Sequence, residues 1–136
     1  MTSLLKSTGT AALVTLKRDG RPQLSNIGYA HDEATGLIRI SITDSRAKTR
    51  NLRRDPRASL YLTSPDMRRY LVVDGTVELT AVATDPQDAT VAELVDLYRT
   101  IAGEHPDWDE FRTAMVAEGR LVARFTISHS YGFGGT

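Results

Sequence analysis

The sequence predicts a mainly β (α+β) protein, an antiparallel six-stranded barrel with helical insertions. Three observations carry this. Short segments of strand period follow one another through the first half of the chain, turn residues separate them at hairpin spacing, and two segments of helical period interrupt them late in the chain. The 136 residues allow one domain, spanning residues 1–136.

Thr10 to Lys17 carries apolar residues on both faces, as a central strand does. Arg18-Asp19-Gly20-Arg21 is a hairpin turn, Gln23 to Ala30 a second strand, and Asp32 to Gly36 another turn. Leu37 to Thr43 alternates, with Ile38, Ile40 and Ile42 opposite Arg39, Ser41 and Thr43. A short helix is expected from Arg46 to Arg54, capped by Asp44-Ser45 and ended by Asp55-Pro56. Ala58 to Thr63 alternates again, and Tyr70 to Thr80 reads as one long bent strand with Gly75 marking a bulge. Asp85 is the expected N-cap of a helix with Pro86 at its first position, Val91, Leu94, Val95, Tyr98 and Ile101 on its stripe, and Gly103 as its stop. Asp107 with Glu110 makes a capping-box-like start for another, carrying Trp108, Phe111 and Met115. Arg120 to Ser128 is the closing strand, and Gly132-Phe133-Gly134-Gly135 is expected as a tail.

Composition narrows the functions. Apolar residues at 40% and charged residues at 25% fit a globular protein. Lysine plus arginine equals aspartate plus glutamate at 17 each, which argues against a nucleic-acid or membrane-surface binder. No apolar run is long enough to span a bilayer and Met1 to Lys6 is no signal peptide, so a cytoplasmic location is expected. The absence of cysteine excludes disulfides, thiolate metal sites and cysteine nucleophiles. His31, His105 and His129 lack metal-ligand spacing, so no metal is expected. Ser25, Ser41 and Ser128 have no nucleophile-elbow glycines, and neither phosphate-loop nor dinucleotide fingerprints occur.

Two clusters remain. Arg46 to Arg57 holds six of the 17 basic residues within twelve positions, with one acid. A helix start beside Arg46 and Lys48 suits a phosphate, and a solvated face with Arg46, Arg50 and Arg54 at spacing four accounts for the same residues. Pro22-Gln23-Leu24-Ser25-Asn26 is polar where a small barrel packs apolar residues. Its side chains suit a flat heterocycle, and a water-facing edge strand also explains them.

Gly20 to Asn26 and Arg46 to Ser59 resemble the split-barrel flavin/deazaflavin oxidoreductases related to pyridoxamine 5′-phosphate oxidase. Tyr98 to Trp108 and Ile127 to Gly132 are similar to the actinobacterial branch that uses coenzyme F-420, an 8-hydroxy-5-deazaflavin. The resemblance implies an FMN-binding-type split β-barrel homodimer with two cofactors between its subunits. It further implies that Arg46, Lys48 and Thr49 hold the phosphate, that Gln23, Ser25 and Asn26 line the ring, and that Ser41, Ile42 and Thr43 pass near it. Arg68, which stands where some relatives carry tryptophan, and Tyr70 would come from the other subunit. By its place just after the last strand, His129 is a candidate to reach a ligand from the barrel rim, and a plain structural role accounts for a lone histidine there as well. A dimer is also expected from Tyr61, Leu71 and Val73, which leave apolar area on so short a chain. The chain stops at Thr136 without the arginine-rich segment of vitamin-B6 oxidases, which turns the expectation away from that reaction.

The implied reaction is hydride transfer from C5 of the reduced deazaflavin to an electron-poor double bond such as an enone or unsaturated lactone. No side chain is assigned as an obligate acid or base. The rivals are the same fold holding FMN as an oxidase or flavin reductase, and a non-catalytic carrier or sensor of the cofactor.

Overall fold

The computed structural model describes residues 3–134. Strands β1 (Thr10–Leu16), β2 (Pro22–Gly28), β3 (Ala30–His31), β4 (Ile38–Thr43), β5 (Arg57–Thr63), β6 (Tyr70–Leu79) and β7 (Arg120–Phe133) form one antiparallel sheet in the order β2-β1-β5-β6-β7-β4-β3. Helix α1 (Leu4–Thr8) precedes β1, α2 (Ala47–Arg54) joins β4 to β5, and α3 (Ala89–Ala102) and α4 (Trp108–Ala117) lie between β6 and β7. The sheet curls until β2 touches β4 without pairing to it. The result is a split half-barrel. Among the described residues no helix is long and apolar enough to cross a membrane.

There are seven strands rather than six, because the expected strand Gln23 to Ala30 breaks at Tyr29. The Tyr29 N–H ends the β1 pairing on the Gly9 carbonyl, and its hydroxyl donates to the Leu5 carbonyl at 2.6 Å. Ala30 and His31 then pair with Arg39 and Ile38. The last strand is longer than expected, because Tyr131, Gly132 and Phe133 pair with Val72, Leu71 and Tyr70. Gly132 and Phe133 of the glycine-rich tail are therefore strand, Gly134 follows it, and Gly135 lies outside the described residues.

Leu13, Ile38, Ile40, Ile42, Leu60, Leu62, Leu121 and Phe125 fill the inside of the curl. Leu71 and Val73 join them and are almost fully buried within the chain itself, so they are not the apolar area a second copy would cover. Exposed apolar side chains lie instead on the outer face, where Leu24, Tyr131 and Phe133 are more than half exposed. Cross-strand register puts Asn26, Ala12, Tyr61, Val72 and Tyr131 in one row of this face. A second apolar cluster packs Val91, Leu94, Leu97, Phe111 and Met115 against Val122 and Ala30.

The helix starts follow carboxylates. Asp88, not Asp85, caps α3: one oxygen accepts the Val91 N–H at 2.8 Å, and the other accepts the N–H groups of Thr84 and Asp85. Asp85 is used instead in a tight turn, accepting the Gln87 N–H. Asp107 caps α4 as expected, but its own N–H donates to His105 Nδ1 and not to Glu110.

The bulge expected at Gly75 is present, with the extra residue on the other strand. Asp74 pairs with His129 and Gly75 with Ile127, leaving Ser128 unpaired, its hydroxyl donating to the Asp74 carbonyl. The two backbones approach so closely that a Cβ on Gly75 would lie 2.0 Å from the Thr126 carbonyl oxygen. Neither backbone can yield without breaking the ladder. Gly75→Ala is therefore expected to cost about 3 kcal/mol or more, read as a lowered urea midpoint or as loss of soluble protein.

Candidate functional site

Helix α2 starts at the seam where β2 approaches β4. Its N-cap is Arg46, with extended backbone (φ −78°, ψ 151°) and no side-chain capping bond. The expected Asp44-Ser45 cap does not form. The Asp44 carboxylate instead ion-pairs with Arg53 at 2.6 Å, and the Ser45 carbonyl accepts from Arg50 at 2.7 Å. The N–H groups of Ala47 and Lys48 consequently have no partner among the described residues.

The residues that carry them line a groove of about 330 Å³. Gln23 and Ser25 line it from β2, Ser41, Ile42 and Thr43 from β4, Arg46, Ala47 and Lys48 from α2, and Arg120 from β7. Seven of the sequence-derived candidates are thus brought together. Thr49 is fully buried in the first turn of α2, and its hydroxyl donates to the Thr43 carbonyl at 2.6 Å. That bond ties the helix start to the end of β4 and occupies the hydroxyl proton. Asn26 follows Ser25 and so points to the outer face of the sheet. Arg68 is exposed in the turn before β6, Tyr70 stacks on Tyr61 with ring centroids 6.1 Å apart, and His129 is exposed on β7. None of these four lines this chain's groove.

Sequence reasoning missed Arg120. It reaches the site by pairing opposite Thr43, a placement set by the β4–β7 register and by no motif. Arg120 is partly neutralised by Glu118 at 3.0 Å, while one of its nitrogens lies 3.5 Å from Ser41 Oγ. Arg46 and Lys48 have no carboxylate partner among the described residues. Burial, and then the positive charges of Arg46 and Arg120, hold the Lys48 amine below its ordinary 10.5.

The donor set fits an anion joined to a polar ring. Two free backbone N–H groups at a helix start, beside three cations, make an anion cradle. Ser25, which also lines the groove, has its hydroxyl buried without a hydrogen-bond partner, and a rotation of that side chain would be needed to present it to a ligand there. A second, apolar cavity of about 430 Å³ lies between α3 and α4, and Ser41 and Arg120 border both spaces.

A split half-barrel with such a groove at its seam defines a flavin/deazaflavin-type oxidoreductase fold. The family model described as pyridoxamine 5′-phosphate oxidase matches residues 1–132, and the chain belongs to that family. The chain is similar to an F420 reductase at 27% identity, with a TM-score of 0.65, covering 94% of this chain and 93% of that one. A conserved hypothetical protein from Mycobacterium tuberculosis shares the fold at 23% identity and a TM-score of 0.73, with 96% and 79% of the two chains covered. So does an FMN-binding, pyridoxamine 5′-phosphate oxidase-related protein from Nostoc punctiforme PCC 73102, at 14% identity and a TM-score of 0.63, covering 95% and 76%.

The depressed Lys48 amine has a consequence for stability. A lysine whose folded pKa lies below its unfolded value weakens the fold wherever the unfolded chain is protonated. That penalty is complete below the folded pKa and disappears as pH rises through the interval up to 10.5. Lys48→Met should therefore raise the Tm of the ligand-free protein at pH 7, by roughly 1–3 °C once solvent screening of a half-exposed amine is allowed for. Thermal scans at pH 7 and above 10.5 check it, the gain vanishing at the higher pH.

Proposed function

We propose that the groove binds coenzyme F-420 and that the protein, as a homodimer, reduces an electron-poor double bond of a small molecule of the enone or unsaturated-lactone kind. The observation that carries this reading is the uncapped α2 start, with Arg46, Lys48 and Arg120, in one groove with the polar β2 residues Gln23 and Ser25. The 27% identity with an F420 reductase over nearly the whole of both chains supports a deazaflavin over FMN.

In this reading the free N–H groups of Ala47 and Lys48, with the Arg46 and Lys48 side chains, grip the phosphate. Thr49 does not reach it with its hydroxyl proton but holds the turn that presents those groups. Gln23 and Ser25 face the ring from β2, and Ser41 to Thr43 pass along its other side. When bound, the reduced deazaflavin supplies the hydride, and the residues of this chain orient it and exclude water. Asn26, Arg68, Tyr70 and His129 would contribute to the neighbouring subunit's site. A second copy covering Leu24, Tyr131 and Phe133 would bring the outer face toward that groove.

Titration of apoprotein with coenzyme F-420 and FMN side by side tests the cofactor. Coenzyme F-420 should bind at least about tenfold more tightly, a difference of about 1.4 kcal/mol. Equal or tighter FMN binding with oxygen-dependent reoxidation would replace this reading with the flavin one. Lys48→Ala should raise the cofactor Kd about tenfold to a hundredfold and flatten its dependence on salt. Arg53→Ala, at a residue engaged with Asp44, should change it little. Light scattering at micromolar concentration should give twice the chain mass, and a particle of monomer mass would sink the shared site.

A further inference from the structure

Resting on that reading for the identity of the ligand, we propose that Arg54 and Asn51 are positioning residues. They fix which end of the Gln23 side-chain amide faces the groove, so that the wall offers an N–H donor there. The ligand selected is one that places a carbonyl oxygen or a ring-nitrogen lone pair opposite Gln23.

The argument starts from a group that cannot be reversed. A guanidinium carries donors and no acceptor. Arg54 Nη2 lies 2.6 Å from the Leu16 carbonyl oxygen and 3.1 Å from the Asn51 side-chain oxygen. The end of the Asn51 amide beside Arg54 must therefore be its oxygen, and the far end its NH2 group. The two protons of that NH2 are both used, one on Thr15 Oγ1 at 3.1 Å and one on Gln23 Oε1 at 2.8 Å. The end of Gln23 turned toward the helix is consequently the acceptor. Its own NH2 is left for the groove that Gln23 lines.

Burial makes the chain of bonds decisive. Asn51 is 7% exposed and Thr15 1%, so water is a poor substitute for any bond in the chain. Turning the Asn51 amide over would set NH2 against the guanidinium and set oxygen against oxygen at Gln23. The adjacent Ser25 hydroxyl, buried and unpartnered, can donate or accept, so the sense of recognition on this wall rests with Gln23. Arg54 itself is exposed and lies outside the groove, yet it determines what the groove accepts.

Two readouts on the full chain test this. In the ligand-free, nitrogen-15-labelled protein, the Asn51 side-chain NH2 should exchange slowly with solvent and that of Gln23 rapidly. Asn51→Asp keeps an acceptor for Arg54 but offers only oxygen to Gln23. The Gln23 amide should then turn over, its NH2 becoming protected. A protected Gln23 NH2 in the wild type would overturn the orientation outright. In titrations with coenzyme F-420, Asn51→Asp should raise Kd about tenfold and Arg54→Met about threefold or more. Thr15→Val, which removes only the side branch, should leave Kd within about threefold. Should Asn51→Asp fail to fold, Arg54→Met at an exposed position carries the same comparison. Lys48→Ala runs in parallel. Weakening by Lys48→Ala but by neither Asn51→Asp nor Arg54→Met would overturn the positioning role alone. A wild type that binds neither coenzyme F-420 nor FMN would overturn the reading of the groove, and with it the ligand class assigned here.

Discussion

The site depends on one helix wedged into a gap that the sheet does not close. β2 and β4 approach but exchange no ladder bonds, so the seam needs another element to fill it. Helix α2 does so with Thr49, Asn51 and Leu52. Leu52 enters the barrel core, Thr49 bonds the end of β4, and Asn51 bonds β1 and β2. Each such bond contributes only about 1 kcal/mol net, but leaving a buried polar group unmade costs about 1–3 kcal/mol. The asymmetry specifies the position of α2 more strongly than it adds stability. The residues that carry its free N-terminal N–H groups line the groove as a result.

The same wedge explains how a chain of zero net charge presents a positive site. The six cations of the cluster divide by their partners. Arg53 is taken by Asp44 and Arg57 by Asp55, whose carboxyl the Arg57 guanidinium holds down at about 2. Arg50 and Arg54 donate to the carbonyls of Ser45 and Leu16. Only Arg46 and Lys48, at the start of the helix, have no acceptor among the described residues. The solvated-face account and the anion-site account of the cluster therefore each describe part of it. Position along the helix decides which residue follows which account.

Much of this was legible in the sequence, where the signal was periodic. Alternation located β4, β5 and β7, and the basic stretch with its terminal Asp55-Pro56 located α2. What stayed hidden depends on contacts between distant segments. Asp88 outcompeted Asp85 as a cap because three N–H groups converge on it only after β6 has turned toward α3. Tyr29 broke a strand because its hydroxyl reaches α1. Asp44 left the helix start for Arg53, a choice that composition does not rank. In the site, Arg120 depended on register alone, and the separation of Asn26 from Gln23 and Ser25 followed from strand alternation applied to three neighbouring polar residues.

Among the features that work against the stability of the fold, two meet at the groove. A half-buried amine faces two other cations, and a buried hydroxyl has no partner. Others lie elsewhere: His31 Nδ1 is buried without a partner, and the outer face turns Leu24, Tyr131 and Phe133 toward solvent. A purely structural seam would be relieved of the first two by simple replacement. Methionine for Lys48 removes the charge repulsion, and alanine for Ser25 removes the orphaned hydroxyl. Two local rules broken together in one concave place are the pattern expected of a ligand site. An anion between Arg46 and Lys48 cancels the repulsion, and a polar ring beside Ser25 supplies the missing hydrogen bond. One ligand carrying both groups answers both defects at once, which a phosphate alone or a heterocycle alone does not.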